Sequence, residues 1–421
     1  MKILHTADWH ADANPKEFKN VSGFLIEKAR EEEPDLIIIA GDVFDSRDIK
    51  LDSEACKEVF KVVHELAGTA PVAIITGTPR HEGTATESIR FASAFEHNIT
   101  VSVNPRQFYL HRRKIKPLDL IGEDVHFGLR EKNPDAIISM IPTPTKQFMQ
   151  GTDDEISQAL TPIFAGFGAT ASDFDCPHIL VYHGTIAGAT LANGQDMTGR
   201  DISISKDQIA LGNFDLVCCG HIHLPQEIKP NIFYSGSLGA LNFGEDHNHG
   251  FYLHEIEKNR PSIEPSYKKY CVCSSFMKTP SRKLIKLESD FTRDDGINVL
   301  YPIAPDEIKN GSIKVTLKAW QDDANPMLNK EKIEEYYKSA GAAEVKVDIK
   351  RMPREVVRSE QVTQLESLVD KIKEQAKIKA ESLPEGIIEI AADLETLSDE
   401  EIYEKVKSGY TYRSSSQLST T

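Results

Sequence analysis

The sequence predicts an α/β protein: a two-layer β-sandwich flanked by helices, followed by a small β-α-β capping unit and a C-terminal helical segment. Three observations lead there. Short apolar runs alternate with amphipathic stretches near the N-terminus, the pattern of a sheet with helices on its faces. Later apolar runs return without long helices between them, which implies a second sheet packed on the first. Beyond residue 260 the pattern changes to alternating strands around one helix, and then to an apolar stripe at helical spacing.

The elements follow in order. Met1–Thr6 reads as a strand, although the polar His5 interrupts it. Lys16–Glu32 reads as a helix with Phe18, Val21, Phe24, Leu25 and Ala29 on one side. Leu36–Ala40 is a buried strand, Ser53–Leu66 a second helix and Val72–Thr76 a third strand. Ile179–Tyr182, Leu216–Cys219, Ile232–Tyr234 and Phe251–Ile256 are the short strands of the second sheet. Residues 1–260 form the first domain on this reading. Lys258–Lys283 is polar, with prolines at 261, 265 and 280, and reads as a connection. Residues 275–352 form the cap, with Ser312–Ala319 and Glu344–Lys350 as strands and Asn329–Ser339 as helix. The helical segment is 355–396. Within it Arg358–Glu381 carries Val362, Leu365, Val369, Ile372 and Ala376 at three- and four-residue steps, and Ile387–Leu394 forms a further short helix. Residues 397–421, ending in a Ser- and Thr-rich tail, read as disordered.

Composition narrows the function. With 421 residues, 40% of them hydrophobic, the chain can build two or three domains. Its net charge of −16 argues against gripping nucleic acid by the overall field. The six cysteines (Cys56, Cys176, Cys218, Cys219, Cys271 and Cys273) lack the CxxC spacing of structural zinc. A reduced, cytoplasmic protein is expected. No secretory signal is expected at the N-terminus, and no run of about 18 apolar residues suggests a membrane span.

Chemistry-bearing residues gather directly after apolar runs. Asp8-Trp9-His10 follows the first strand, and Gly41-Asp42-Val43-Phe44-Asp45 the second. Gly77-Thr78-Pro79-Arg80-His81-Glu82 follows the third. His183 ends one later strand and Gly220-His221-Ile222-His223 follows another. Parallel sheets bind ligands at this edge. Each cluster alone is a common cap or turn; the ordered set on five strand ends points to a metal centre. Mixed carboxylates and imidazoles suit Mn²⁺, Fe²⁺ or Zn²⁺ better than Mg²⁺ or Ca²⁺. Two ions can share one carboxylate, and Asp42 is the natural bridge.

These motifs resemble the calcineurin-like metallophosphoesterases, and within them the SbcD-like nucleases of DNA repair. The family signature is D-x-H, GD-x-x-D, GN-H-D/E, a strand-end His and GH-x-H. Asp8, His10, Asp42, His183, His221 and His223 match its metal ligands position by position. GDVFD, followed by Ser46-Arg47 rather than Arg-Gly, and Phe233–Leu238 (FYSGSL) favour the nuclease branch. The resemblance is strong over residues 1–256 and architectural beyond. It implies two divalent ions, expected to be Mn²⁺, and exonuclease and endonuclease activity on DNA. It further implies a homodimer within a heterotetramer, with the C-terminal helices docked on a coiled-coil, SbcC-like ATPase.

One departure stands out: the third motif reads GTPRHE, without the Asn that would bind the second ion. Aligning His81-Glu82 with the HD/HE pair makes His81 the catalytic imidazole, oriented by Glu82; alternatively His81 itself coordinates. Thr78 is a poor substitute for Asn, because a neutral hydroxyl is a weak ligand. His5, His64, His97, His126, His178 and His254 read as core or surface residues, and His247 and His249 as a polar hairpin turn rather than the edge of the site. Arg106, Arg112, Arg113, Lys114 and Lys116 form a basic island, either a phosphate contact or a solvated hairpin. Ala187–Arg200 and Ser203–Asp207 border a cleft or are plain loops.

Overall fold

A computed structural model describes residues 1–91, 98–118, 133–144, 151–191, 202–245, 247–259, 269–292, 308–321, 323, 328–353, 365–379, 382–384 and 386–407. Two compact units emerge. One comprises Met1–Ala319 with Ala324–Lys350, the other Trp320–Asp323 with Arg351–Thr421.

The first unit opens with parallel strands β1 (Lys2–Thr6), β2 (Leu36–Ile39), β3 (Val72–Ile75) and β4 (Ile99–Ser102). Helix α1 (Pro15–Glu32) joins the first pair. It starts where the Asn14 side chain accepts from Glu17 N at 3.1 Å, with Pro15 in the first turn. Helix α2 (Glu54–Thr69), capped by Ser53, joins β2 to β3. The short helix α3 (Thr84–Ser88) follows β3.

A second sheet begins with β5 (Arg106–His111), β6 (Lys114–Pro117) and β7 (Ala136–Ile141). After α4 (Asp153–Ala171) it continues with β8 (His178–His183). A two-stranded ribbon of β9 (Thr185–Ile186) and β10 (Ser203–Ile204) and the helix α5 (Lys206–Ala210) precede β11 (Leu216–Gly220), β12 (Gln226–Lys229) and β13 (Ile232–Tyr234). The sheet order is β12-β13-β11-β8-β7-β5-β6. The chain then returns: β14 (Gly250–Lys258), expected in the second sheet, pairs instead with β1, and with β15 (Tyr270–Lys278) extends the first sheet antiparallel, in the order β15-β14-β1-β2-β3-β4.

Burial explains why the central strands read as continuous apolar runs: both faces are covered. Ile38, Ala73 and Ile75 face Ile138, Met140, Val181 and Cys218 between the sheets. Ile37, Ile39 and Ile74 face Val21, Leu25, Val59 and Val62 of α1 and α2. Leu180 and Val217 face Leu160 and Phe164 of α4. The expected sandwich flanked by helices is the architecture found. His5, His178 and His254 are buried polar members of this core, as expected, while His97 and His126 lie outside the described residues.

The segment expected to be a connection, Lys258–Lys283, contains β15, which pairs with β14 over all nine of its residues. The reason is edge geometry. Tyr270, Val272, Ser274 and Phe276 turn to the covered side while Cys271, Cys273 and Ser275 are exposed, so half the strand is polar. The first sheet therefore runs past the expected boundary at 260.

The cap has one strand more than expected, β16 (Leu284–Asp290), parallel to β17 (Ser312–Trp320), with β18 (Glu344–Met352) on the other side of β17. Helix α6 (Lys330–Ser339) contributes Ile333 and Tyr337 to its core with Ile313, Val315 and Leu317.

In the second unit the helix expected over Arg358–Glu381 is α7 (Leu368–Lys379). Its start is set by Ser367, whose hydroxyl accepts from Asp370 N. Leu365 of the expected stripe precedes the helix, and Val362 lies outside the described residues. Helix α8 (Ile387–Thr396) agrees with expectation. Helix α9 (Asp399–Lys407) stands inside the stretch read as disordered, nucleated by a Ser398–Glu401 capping pair. Residues 408–421 lie outside the described residues. Among the described residues, no helix is long and apolar enough to cross a membrane.

Candidate metal centre

The C-terminal ends of β1, β2, β3, β8 and β11 converge, and each delivers the residues that the sequence singled out. Asp8 and His10 follow β1, Asp42 follows β2, and Thr78–Glu82 follow β3. His183 ends β8, while His221 and His223 follow β11. The first two loops are zipped together: Asp8 N donates to Gly41 O at 3.0 Å, His10 N to Asp42 O at 3.1 Å and Ala11 N to Val43 O at 3.1 Å. Backbone strain concentrates here. Asp8, His10, Asp42 and His221 have φ of 50°, 42°, 50° and 96°, a region costing non-glycine residues of order 1–3 kcal/mol each. Two glycines permit the crowding. Gly41 has φ +90° and a Cβ there would overlap the His183 ring; a Cβ on Gly77 would overlap the Asp42 carboxylate.

Two clusters result. Asp8, His10 and His223 form one, and Asp42, His183 and His221 the other; in each, the ligand atoms lie within 4.8 Å of one another. Asp42 reaches both, its Oδ2 lying 3.3 Å from His183 Nε2 and 3.9 Å from His10 Nε2. Asp8 is fixed by both carboxylate oxygens accepting from His221 N, at 2.9 and 3.0 Å.

The outer nitrogens of His10, His183 and His223 are occupied. His10 Nδ1 lies 3.0 Å from Asp45 Oδ1, His183 Nδ1 2.6 Å from Ala40 O and His223 Nδ1 2.6 Å from Glu245 Oε1. These partners turn Nε2 toward the centre. His10 Nε2 is buried and has no hydrogen-bond partner, which a buried polar atom tolerates poorly unless something is bound. The charges point the same way. Burial pushes the Asp42 carboxyl up, but His183, then His10 and His81, outweigh it and hold it well below the usual range. Burial pushes His183 down, but Asp42 and Asp8 outweigh it and raise the imidazole to about 9. The carboxylates thus demand positive charge at the centre, which a divalent ion supplies. The residues fit the metal expected of them.

The third loop differs from expectation. Glu82 does not orient His81. Its Oε1 accepts from Val43 N, pinning the Asp42 loop, and burial followed by the Asp42 charge raises its carboxyl to about 7. The cause is the tight turn in which His81 N and Glu82 N both donate to Thr78 O, at 2.8 and 3.0 Å, so successive side chains diverge. His81 instead has Nδ1 2.8 Å from Asp45 O and sets its ring edge-on to His10 at 4.9 Å. Thr78 sits at the second cluster. Its N donates to Asp42 Oδ1 at 2.6 Å, and its hydroxyl lies 3.2 Å from Asp42 Oδ2 and 3.4 Å from His183 Nε2.

The segment carrying His247 and His249, expected to be a plain turn, borders the site. His247 Nε2 donates to His223 O at 2.8 Å, His249 Nδ1 is 2.9 Å from Ser237 Oγ, and Glu245 holds His223. Sequence reasoning missed Glu245; its only signal was an acidic residue close after the FYSGSL element. That element is itself built into the site. Ser237 bridges Ala7 beside Asp8, and the Tyr234 hydroxyl donates to Gly184 O at 2.7 Å just past His183.

The basic island is a hairpin. Arg112 and Arg113 form its turn, and Leu110 pairs with Ala136 at the start of β7. That is the end of the parallel strands opposite His183. Ser203–Ile204 pairs with Thr185–Ile186, while residues 192–200 lie outside the described residues.

The calcineurin-like phosphoesterase family model matches residues 1–225, more than half of the chain. Among solved structures, "GAP50 the anchor in the inner membrane complex of Plasmodium" is similar at 14% identity, over 66% of this chain and 84% of that one, with a TM-score of 0.41. With the family model spanning these strand-end clusters, the chain belongs to the calcineurin-like phosphoesterases, metal-dependent hydrolases of phosphoesters.

Proposed function

We propose that the chain is a DNA nuclease subunit that hydrolyses phosphodiesters with two divalent ions, Mn²⁺. The observation that carries phosphoester hydrolysis at this site is the reach of Asp42 into both clusters. The step from phosphoester to DNA is supported by the GDVFD and FYSGSL motifs, by the cap and by the separate helical unit.

In this reading Asp8, His10, His223 and Asp42 would hold one ion, and Asp42, His183 and His221 the other. When bound, such a pair lowers the pKa of water and neutralises the phosphate oxygens. The protein's own groups do the rest. Asp45 and Glu245 hold the imidazoles that face the centre. Thr78 holds both oxygens of Asp42, fixing the orientation of the carboxylate. His81 donates Nδ1–H to Asp45 O, which leaves Nε2 to carry a proton to the departing oxygen.

The exposed face of the C-terminal helices is the proposed dock for a coiled-coil ATPase; Leu394 and Tyr403 are exposed there. A homodimer of the nuclease within that assembly belongs to the same proposal. The test is cleavage of labelled duplex DNA with Mn²⁺, by wild type, Asp42→Ala and His81→Ala, with and without the ATPase, beside a small diester such as bis(p-nitrophenyl) phosphate. DNA cleavage lost in Asp42→Ala supports the reading. Hydrolysis of the small diester alone makes the chain a small-molecule phosphodiesterase, and no cleavage of either substrate makes it a scaffold with a weakened site.

A further inference from the structure

The outer nitrogens of His10, His183 and His223 are not held alike. Those of His10 and His223 face carboxylates, Asp45 and Glu245, whereas that of His183 faces only the backbone oxygen of Ala40. A carboxylate behind a histidine fixes the tautomer and strengthens the opposite nitrogen as a ligand more than a carbonyl does.

Glu245 is built for such a role. Its side chain is 2% exposed, against 46% for Asp45. Oε2 accepts from Leu241 N at 2.9 Å, and Oε1 accepts from Asn242 Nδ2 at 2.8 Å as well as from His223 Nδ1 at 2.6 Å. The carboxylate is therefore fixed before His223 meets it. The backbone of His223 is held too, since its carbonyl accepts from His247 Nε2 at 2.8 Å and Ser237 N at 3.1 Å. Ring and backbone are both clamped by the chain between Ser237 and His247. With Nδ1–H committed to Glu245, only Nε2 offers a lone pair to the centre. Among the described residues no carboxylate backs His183, and what stands beside its Nε2 is the neutral hydroxyl of Thr78.

We propose that Glu245 is a positioning residue for His223 and that it makes the Asp8–His10–His223 position the tighter of two unequal cation sites. The proposal rests on the metal reading given above.

Mn²⁺ titration of the metal-free full-length protein, by calorimetry and by electron paramagnetic resonance of free Mn²⁺, tests it. Wild type is expected to show two unequal steps. Glu245→Ala should weaken the tighter step by roughly 10–100-fold and leave the looser step in place. Glu245→Gln, whose amide oxygen still accepts from Nδ1, should recover part of that loss. Two equal steps in wild type, or wild-type affinities in both variants, overturn the proposal. Equal weakening of both steps with a lowered melting temperature in both variants also overturns it, in favour of a purely structural role. Should Glu245→Ala fail to fold, Glu245→Gln decides alone by the same criterion. Absence of any Mn²⁺ binding by wild type instead removes the metal reading itself.

Discussion

His81 is the residue whose role the geometry changes most. Its alignment with a catalytic imidazole was readable, but its partner was not, because a turn two residues longer than the family pattern reverses which neighbour faces it. His81→Ala should lower kcat for DNA cleavage by about 10²–10³ while two Mn²⁺ still bind, if it is the proton donor; loss of one ion would make it a ligand instead. Thr78 offers the reverse experiment. Thr78→Asn places an amide oxygen where the hydroxyl now lies 3.4 Å from His183 Nε2. It should tighten the weaker Mn²⁺ on the order of tenfold, about 1.4 kcal/mol, measured by calorimetry; unchanged or weaker binding would show that the loop cannot present the amide. The six candidate ligands at positions 8, 10, 42, 183, 221 and 223 are legible because each stands at a fixed offset from an apolar strand. Glu245 was not, because it reaches His223 across a loop that no local pattern describes.

Elements that lie wholly inside the molecule were the easiest to read. Strands such as Leu36–Ile39, buried on both faces, leave no alternative to an apolar run. Strands covered on one side only are harder: Tyr270–Lys278 is half polar and falls in the segment that reads as a connection, and Leu284–Asp290, also half polar, gives no strand signal inside the expected cap. The helix expected from Arg358 starts at Leu368 because local capping by Ser367, not the apolar stripe, sets its end. The turn after β2 carries the sharpest element-scale prediction. Gly41→Ala forces a side chain into the left-handed region and against His183. Mn²⁺ binding at the second cluster should fall at least tenfold, while the far-ultraviolet circular dichroism stays that of wild type, since the inter-sheet core is untouched. Full retention of both ions would show that the loop can relax.

At the scale of the whole molecule, buried neutral histidines give stability its pH dependence. Burial pushes His5 and His178 down to about 3, and His254 well below its ordinary value. Unfolded histidines titrate near 6.5, so below that pH the unfolded chain binds protons that the folded chain refuses. Stability is unaffected by these groups above pH 6.5 and falls as pH drops toward 3. At pH 5.5 each costs roughly 1 kcal/mol, and the three together outweigh the opposing gain of about 1.5 kcal/mol from proton uptake by the raised Glu82 carboxyl, so urea midpoints should decline between pH 7 and 5; a flat profile would contradict the buried neutral assignment. The net charge of −16 predicts weak duplex binding by the isolated chain, and nanomolar binding at physiological salt would count against that. The central claim, two ions sharing Asp42, is tested most directly by anomalous diffraction at the manganese edge from crystals soaked in Mn²⁺. Two peaks flanking Asp42, one beside His10 and His223 and one beside His183 and His221, are predicted, both lost in Asp42→Ala; no peak there, or peaks that persist without the Asp42 carboxylate, would contradict the account.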